Sequence, residues 1–433
     1  MEGKKEKQDR KTGCTRRDFI KTSLAGAAGL LAGSTIGPTI VRAQQKPIRI
    51  ASMGANSGAV GMAGESSFRG IMLWVNQVNS RGGLLGRKVE AITRDTLGKP
   101  EECARYARDY AASDYDFIYA YGSSAEAFAV NAISRDLKKV IFVCVETTEF
   151  TANPKIRSPY CFRPSRNQVL DNIVSAKYAA QKAKAIGLTR WYTLAEDYAY
   201  GRDAVGMFLE FFKRYHPKAE IVGQGWPKLG EPDFTSHITA MMNAKPQAVF
   251  AALFAGDAIG FVRQAAMYGA FDKIDFFMKD LTDYTVLEPI VQTVGKLPRM
   301  YAGTEYLRVF PDTAENHAFC DSYQKAYGGA RPLLWSWKTY TGCLLIEEAV
   351  KKAKTTDTEA VMKALRDLTV KSPVGMGKNG TVTMRGRDGQ LIYYPVAWGP
   401  TLPNDPFMTD IVPGNWDEML AEETSWLESK GWL

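Results

Sequence analysis

Histidine and cysteine are scarce in this chain of 433 residues, which holds three of the first and six of the second. His216, His237 and His317 are scattered, and no Cys-x-x-Cys pair occurs. A zinc centre or dithiol motif needs closely spaced ligands, so neither is encoded, and no metal or cofactor is expected. The P-loop, the G-x-S-x-G elbow and the H-E-x-x-H pair are also missing. Gly375-Met376-Gly377-Lys378-Asn379-Gly380 does fit G-x-G-x-x-G. It follows a predicted helix and precedes a predicted strand, the reverse of the order a dinucleotide site requires. After the N-terminal segment no apolar run is long enough to span a bilayer. A concentrated cationic face is lacking too. The formal charge is +8, but Lys4, Lys5, Lys7, Arg10, Lys11, Arg16, Arg17, Lys21 and Arg42 crowd the first 43 residues. Elsewhere basic residues interleave with acids, which argues against a nucleic-acid partner.

The composition, 45% apolar and 24% charged, is that of a globular protein long enough for two or three domains. Residues 1–43 read as an export signal. A basic region, Lys4 to Lys21, precedes a mildly apolar run from Leu24 to Val41, and Val41-Arg42-Ala43 fits a small-x-Ala cleavage site near Ala43. Thr15-Arg16-Arg17-Asp18-Phe19-Ile20-Lys21 resembles the twin-arginine signal, which implies the twin-arginine export machinery as a partner and the periplasm as destination. Five cysteines follow the signal. Cys320 and Cys343 flank a predicted helix–turn–helix and are candidates to pair; buried free thiols are the alternative.

The stretch Ile48 to Asp95 sets the architecture. Ile48, Ile50 and Met53 begin a buried strand, and the loop Gly54-Ala55-Asn56-Ser57-Gly58 follows. Phe68, Ile71, Met72, Val75 and Val78 form the apolar stripe of a helix. Asn79-Ser80-Arg81-Gly82-Gly83 stops it, and Lys88 to Asp95 is a second strand. Strand, crossover helix and strand make a right-handed parallel unit, whose loops at the carboxyl edge are where open α/β sheets bind ligands. The alternation continues with strands at 117–121 and 140–145. A second alternating run begins near residue 168, with strands at 190–194, 220–223, 248–253, 276–278 and 300–303. Helices follow at about 313–327, 334–352 and 358–368, then a hairpin from Gly380 to Trp398. Two such runs predict an α/β protein with two sheets in two lobes.

These features together resemble the type I periplasmic binding proteins, specifically the branched-chain amino acid (Leu/Ile/Val)-binding group that serves ABC importers. The residues that carry the likeness are Gly54 to Gly58, Asn79 to Gly83, Gly86 to Val89, Asp95, Gly122-Ser123-Ser124, Thr147-Thr148, Tyr200-Gly201 and Val262 to Ala265. The resemblance implies two Rossmann-like lobes of Venus-flytrap type, joined by three crossings near Tyr160–Asn167, Ala302–Arg308 and Lys371–Gly380. One lobe would hold residues 46–165 and 305–372, the other 166–304 and 375–400, with 401–433 as a C-terminal extension. It also implies a small-molecule ligand, an amino acid or small carboxylate, and an ABC permease as partner.

In that family Ser123 or Ser124, and Thr147 or Thr148, fall where a ligand carboxylate is held. Capping of the next helix is the structural alternative for Ser123 and Ser124. Tyr200 matches a tyrosine that closes on the ligand, Phe254 a common aromatic, and Asp280 or Asp283 the acid for an ammonium group. Ser57 is a further candidate contact in the first loop. The family's early disulfide is absent, its positions reading Leu97 and Gly122, and Glu146 and Glu149 add negative charge beside the carboxylate site. Another small carboxylate, an amide or an aromatic acid is therefore an alternative ligand. A sensory protein reporting to a receptor, or a hydrolase using Ser123 or Ser124, are the alternative functions.

Overall fold

Alternating apolar runs and amphipathic stretches become two parallel sheets with helices on their faces. The computed structural model describes residues 45–58, 61–147, 152–281 and 283–433. The expected export signal, its cleavage site, and Thr148 with Glu149 lie outside the described residues.

The first sheet follows the order β2-β1-β3-β4-β5, all parallel. Its strands are β1 (Ile48–Gly54), β2 (Val89–Asp95), β3 (Phe117–Tyr121), β4 (Val140–Cys144) and the short β5 (Cys161–Phe162). β3 and β4 are buried along their whole length, as continuous apolar strands covered on both faces must be. The crossovers are α1 (Gly61–Ser80), α2 (Pro100–Ala112) and α3 (Ser124–Leu137). On α1 three of the predicted stripe residues, Ile71, Val75 and Val78, are buried and joined by Trp74, while Phe68 and Met72 are partly buried. Ile71, Trp74, Val75 and Val78 lie in the core, each contributing about 1.5–3 kcal/mol relative to exposure.

The chain then runs through α4 (Gln168–Ile186) into the second sheet. There β6 (Arg190–Ala195), α5 (Ala199–Tyr215), β7 (Glu220–Gly225), α6 (Thr235–Asn243), β8 (Ala248–Ala252), α7 (Ala255–Met267), β9 (Asp275–Lys279), α8 (Tyr284–Val294) and β10 (Tyr301–Thr304) alternate in turn. It next returns to the first sheet's side with α9 (Ala314–Ala326), α10 (Leu334–Ala353) and α11 (Thr358–Leu365). α10 packs closely on α1. Ser66 and Ser336 share a 2.6 Å hydrogen bond, and Thr339 Oγ1 donates to the Ser67 carbonyl at 2.7 Å. A Cβ at Gly70 would stand 2.3 Å from the Ser336 carbonyl oxygen, so this crossing requires glycine there.

A small antiparallel sheet follows, of β11 (Leu368–Lys371), β12 (Thr381–Met384) and β13 (Leu391–Ile392). It hangs beside β5 through the backbone pairing of Arg163 with Gly389 and Leu391. The predicted hairpin is therefore only its first part. The chain passes on through Tyr393–Val396 to β14 (Ala397–Pro400), which runs antiparallel to β10 in the second sheet. β15 (Val412–Pro413) adds to β14, and α12 (Trp416–Ser429) lies against α4. The full second order is β15-β14-β10-β9-β8-β6-β7.

All five cysteines in the described residues are buried and free, so Cys320 and Cys343 are not paired. Cys343 Sγ instead accepts from the Tyr119 hydroxyl at 3.4 Å. No helix among the described residues is long and apolar enough to cross a membrane.

Candidate functional site

Parallel strands place all their following loops at one edge, and here the edges of both sheets supply the walls of one cleft. Gly122, Ser123, Ser124, Val145 and Glu146 come from the loops after β3 and β4. Tyr198 and Tyr200 follow β6, Phe254 and Ala255 follow β8, and Asp280 and Asp283 follow β9. Met62 of α1, Arg166, Leu229, Val286 of α8, and Leu334 and Trp335 of α10 complete the wall. The cleft is narrow and partly open to solvent, with little free space between its walls.

Six of the expected residues thus meet: Ser123, Ser124, Tyr200, Phe254, Asp280 and Asp283. Ser123 caps α3. Its hydroxyl accepts from the Glu126 amide at 3.3 Å, while the Glu126 carboxylate accepts from the Ser123 amide at 2.8 Å. Gly122 precedes it with φ +140°, and a Cβ there would lie 2.5 Å from Glu126 Oε2. Glycine is therefore needed to bring the cap and the cleft wall together. The Ser124 hydroxyl bonds that of Thr147 at 2.6 Å, so Thr147 stands behind Ser124 and off the cleft wall. Ser57 is exposed and away from the cleft. Its hydroxyl bonds Asp95, whose carboxyl, despite some burial, is held below the usual range by Ser57 and the amides of Leu97 and Asn56. Thr148 is not described.

Beneath the cleft lies a buried knot of charge. Arg166 Nε is 2.9 Å from Glu146 and 2.8 Å from Glu305, its Nη1 is 3.2 Å from Asp171, and its Nη2 contacts Asp280. Lys279 contacts Asp171 and stands 3.1 Å from Asp280. Lys338 lies 2.9 Å from Glu146 and 3.0 Å from Glu305. None of these side chains is more than 7% exposed. Burial opposes ionisation of Glu146, but Arg166, Lys338 and Lys279 outweigh it and pull its carboxyl well below the ordinary range. Burial likewise works against the Arg166 charge, yet Asp171, Glu146 and Glu305 hold its proton more firmly than usual. Two members of the knot go the other way: burial raises the pKa of Glu305 despite Arg166 and Lys338, and burial with the Arg166 charge lowers that of Lys279.

Asp280 sits at the carboxyl end of β9 with φ +63°, accepting from Arg166 and from the Tyr200 hydroxyl. That left-handed turn aims its carboxylate back toward the knot. Asp283 caps α8, accepting from the Thr285 amide at 2.9 Å and hydroxyl at 2.7 Å, and burial raises its pKa. Rings form the drier wall. Phe254 meets Trp335 edge to face at 5.9 Å, and Tyr198 lies 5.8 Å from Tyr200. Behind Phe254, its amide donates to Glu196 at 2.5 Å, and burial raises that carboxyl to about 8. The N-termini of α3, α7 and α8 all open here, through Ser124, Ala255 and the cap Asp283. Their first-turn amides lack helical partners and carry the positive end of the helix dipole.

The sequence did not single out Arg166, Tyr198, Met62, Leu334 or Trp335. Arg166 has no acid close in sequence except Asp171 to mark it, and Trp335 reads as ordinary core. A basic residue between two predicted elements was the one available signal.

The same architecture is found in known proteins. A solute-binding protein of an ABC transporter from Rhodopseudomonas palustris, in complex with 3,4-dihydroxybenzoic acid, superposes with a TM-score of 0.73 at 24% identity, covering 85% of this chain and 96% of that one. An ABC transporter substrate-binding protein from Sphaerobacter thermophilus also gives 0.73, at 26% identity and with 85% and 98% covered. Leu/Ile/Val-binding protein homolog 7 of Brucella abortus is 23% identical over 371 residues, which are 81% of this chain and 92% of the relative. The profile of the periplasmic binding protein family matches residues 47–394, the greater part of both sheets, and the chain belongs to that family.

Proposed function

We propose that the protein is an exported solute-binding protein, which captures a small solute, an amino acid or related small carboxylate, and delivers it to an ABC-type permease. The observation that carries this reading is the single cleft walled by the carboxyl edges of both sheets, with Phe254 from one side touching Trp335 from the other. Each sheet heads one lobe, and residues 401–433 extend the second through β15 and α12. Ser123, Ser124, Tyr200, Phe254, Asp280 and Asp283 are the contacts, with Arg166, Tyr198 and Trp335 added. Helix N-termini suit a carboxylate, and a protein of the same architecture is in complex with 3,4-dihydroxybenzoic acid. Ligand contacts with both walls stabilise the closed form, because a ligand shifts a conformational equilibrium only through its differential affinity. Residues 1–43 direct the chain to the periplasm through the twin-arginine pathway, with cleavage near Ala43.

Binding without turnover is favoured by the partners of the two serines. Ser123 engages Glu126 and Ser124 engages Thr147, and among the described residues no histidine lines the cleft. The test is thermal unfolding of the mature protein against a panel of amino acids and small aromatic acids. A ligand at about 100 times its Kd stabilises by about 2.7 kcal/mol, so a rise of several degrees is expected for some member. No rise across the panel refutes the reading.

A further inference from the structure

If the cleft is a solute site, its charge balance narrows the ligand further. Among the described residues lining it, Glu146, Asp280 and Asp283 are acids, and Arg166 is the only base. That base is already engaged by Asp171, Glu146, Asp280 and Glu305. Lys279 and Lys338, just behind, are engaged by the same group of carboxylates. Three cations therefore face four acids in the knot, and Asp283 adds a fifth acid at the wall. Glu146 is 6% exposed, and its Oε2 accepts no hydrogen bond and stands 3.8 Å from Lys279 Nζ.

Of the hydroxyls that would receive an anion, that of Ser123 already donates to Glu126, and that of Ser124 shares a hydrogen bond with Thr147. A ligand carboxylate would gain the helix-terminal amides but meet three acids and no uncommitted basic side chain. In a partly dehydrated cleft such like charges repel far more than in water. A cationic nitrogen meets the opposite: carboxylates at hand, and the faces of Tyr198, Tyr200, Phe254 and Trp335, which attract cations and pack flat apolar groups.

We propose that the cleft selects an organic ammonium compound with an apolar body about the size of one aromatic ring, and that a carboxylate on this ligand is dispensable. The probes are phenethylamine, L-phenylalanine and benzoate, which carry the amine alone, both groups, and the carboxylate alone. Thermal unfolding and calorimetric titration of the mature chain should show binding of phenethylamine and L-phenylalanine, with benzoate at least tenfold weaker. Asp283→Asn keeps a side-chain cap for α8 while removing the charge, and should weaken phenethylamine at least tenfold. Trp335→Leu, which keeps an apolar side chain, provides a second variant with the same expected direction.

Binding of benzoate as tightly as phenethylamine, or more tightly, overturns the inference and leaves solute capture intact. So does phenethylamine affinity that is unchanged in both variants. No binding of these three probes or of any standard amino acid overturns the inference and the solute-capture reading together.

Discussion

Ser123 contributes to the stability of this protein independently of any ligand. Its reciprocal bonds with Glu126 form a capping box at the start of α3. Ser123→Ala should cost about 1 kcal/mol, read as a lower midpoint in urea without ligand. Glu196 gives a prediction of another kind. Its carboxyl titrates at about 8 in the folded protein against 4.5 ordinarily. Below 4.5 both folded and unfolded states hold the proton, and the stability associated with it is complete. Between 4.5 and 8 the unfolded chain releases the proton while the folded one keeps it, so stability falls as pH rises through that window. Calorimetry at about pH 5 and pH 8 should show a smaller loss of Tm for Glu196→Gln than for the parent. An equal loss in the two proteins would show that Glu196 does not titrate in this way.

Helices and strands were the most legible level in the sequence, and their ends the least. The stripe from Phe68 to Val78 and the apolar strands at 117–121 and 140–144 recur in the structure, because periodicity and burial on both faces act within a few residues. Tyr200 stands in the first turn of a helix, since α5 begins at Ala199. Its side chain still reaches the cleft, since the first turn of a helix after a parallel strand stands at the same edge. α8 and α12 went unread: α8 is short with Pro289 inside it, and α12 follows a stretch rich in proline and glycine. α12 nevertheless carries a buried acid. Glu423 accepts from Arg385 at 2.5 and 3.0 Å, from Arg387 at 3.3 Å and from Asn167 at 3.4 Å. It ties the last helix to the turn after β12 and to the cap of α4. Glu423→Ala leaves Arg385 with Asp388 alone and should cost roughly 3–5 kcal/mol, measured by denaturant unfolding.

The whole molecule depends on what no local pattern could reveal. Asp280 and Arg166 are 114 residues apart, and Lys338 and Glu146 are 192 apart. Asp280 and Glu146 were visible as acids that follow predicted strands and Lys338 as a base within a predicted helix, but the meeting of these groups with Arg166 required both sheets to be in place. The aromatic wall is similar, since Phe254 and Trp335 come from elements packed on different sheets. The knot joins those sheets, so breaking it should be felt throughout. Arg166→Met removes the one group that touches Glu146, Asp171, Asp280 and Glu305 together. The loss should be roughly 3–5 kcal/mol or more, seen as a single cooperative shift of the unfolding transition. A separate early transition confined to one sheet would contradict this coupling.

The return of the chain to the second sheet at β14 bears on how the protein is made. β10 ends at Thr304, but its neighbour on that edge starts only at Ala397. Trp398, which covers Gly303 and donates to Ser175 at 3.0 Å, arrives equally late. During synthesis the backbone groups of Tyr301–Thr304 therefore remain unpaired on one side until residues 397–400 have left the ribosome, an open edge able to pair with other chains. Completion of this sheet waits for β14, and a nascent chain halted before residue 397 should need chaperone protection that a chain carrying β14 does not.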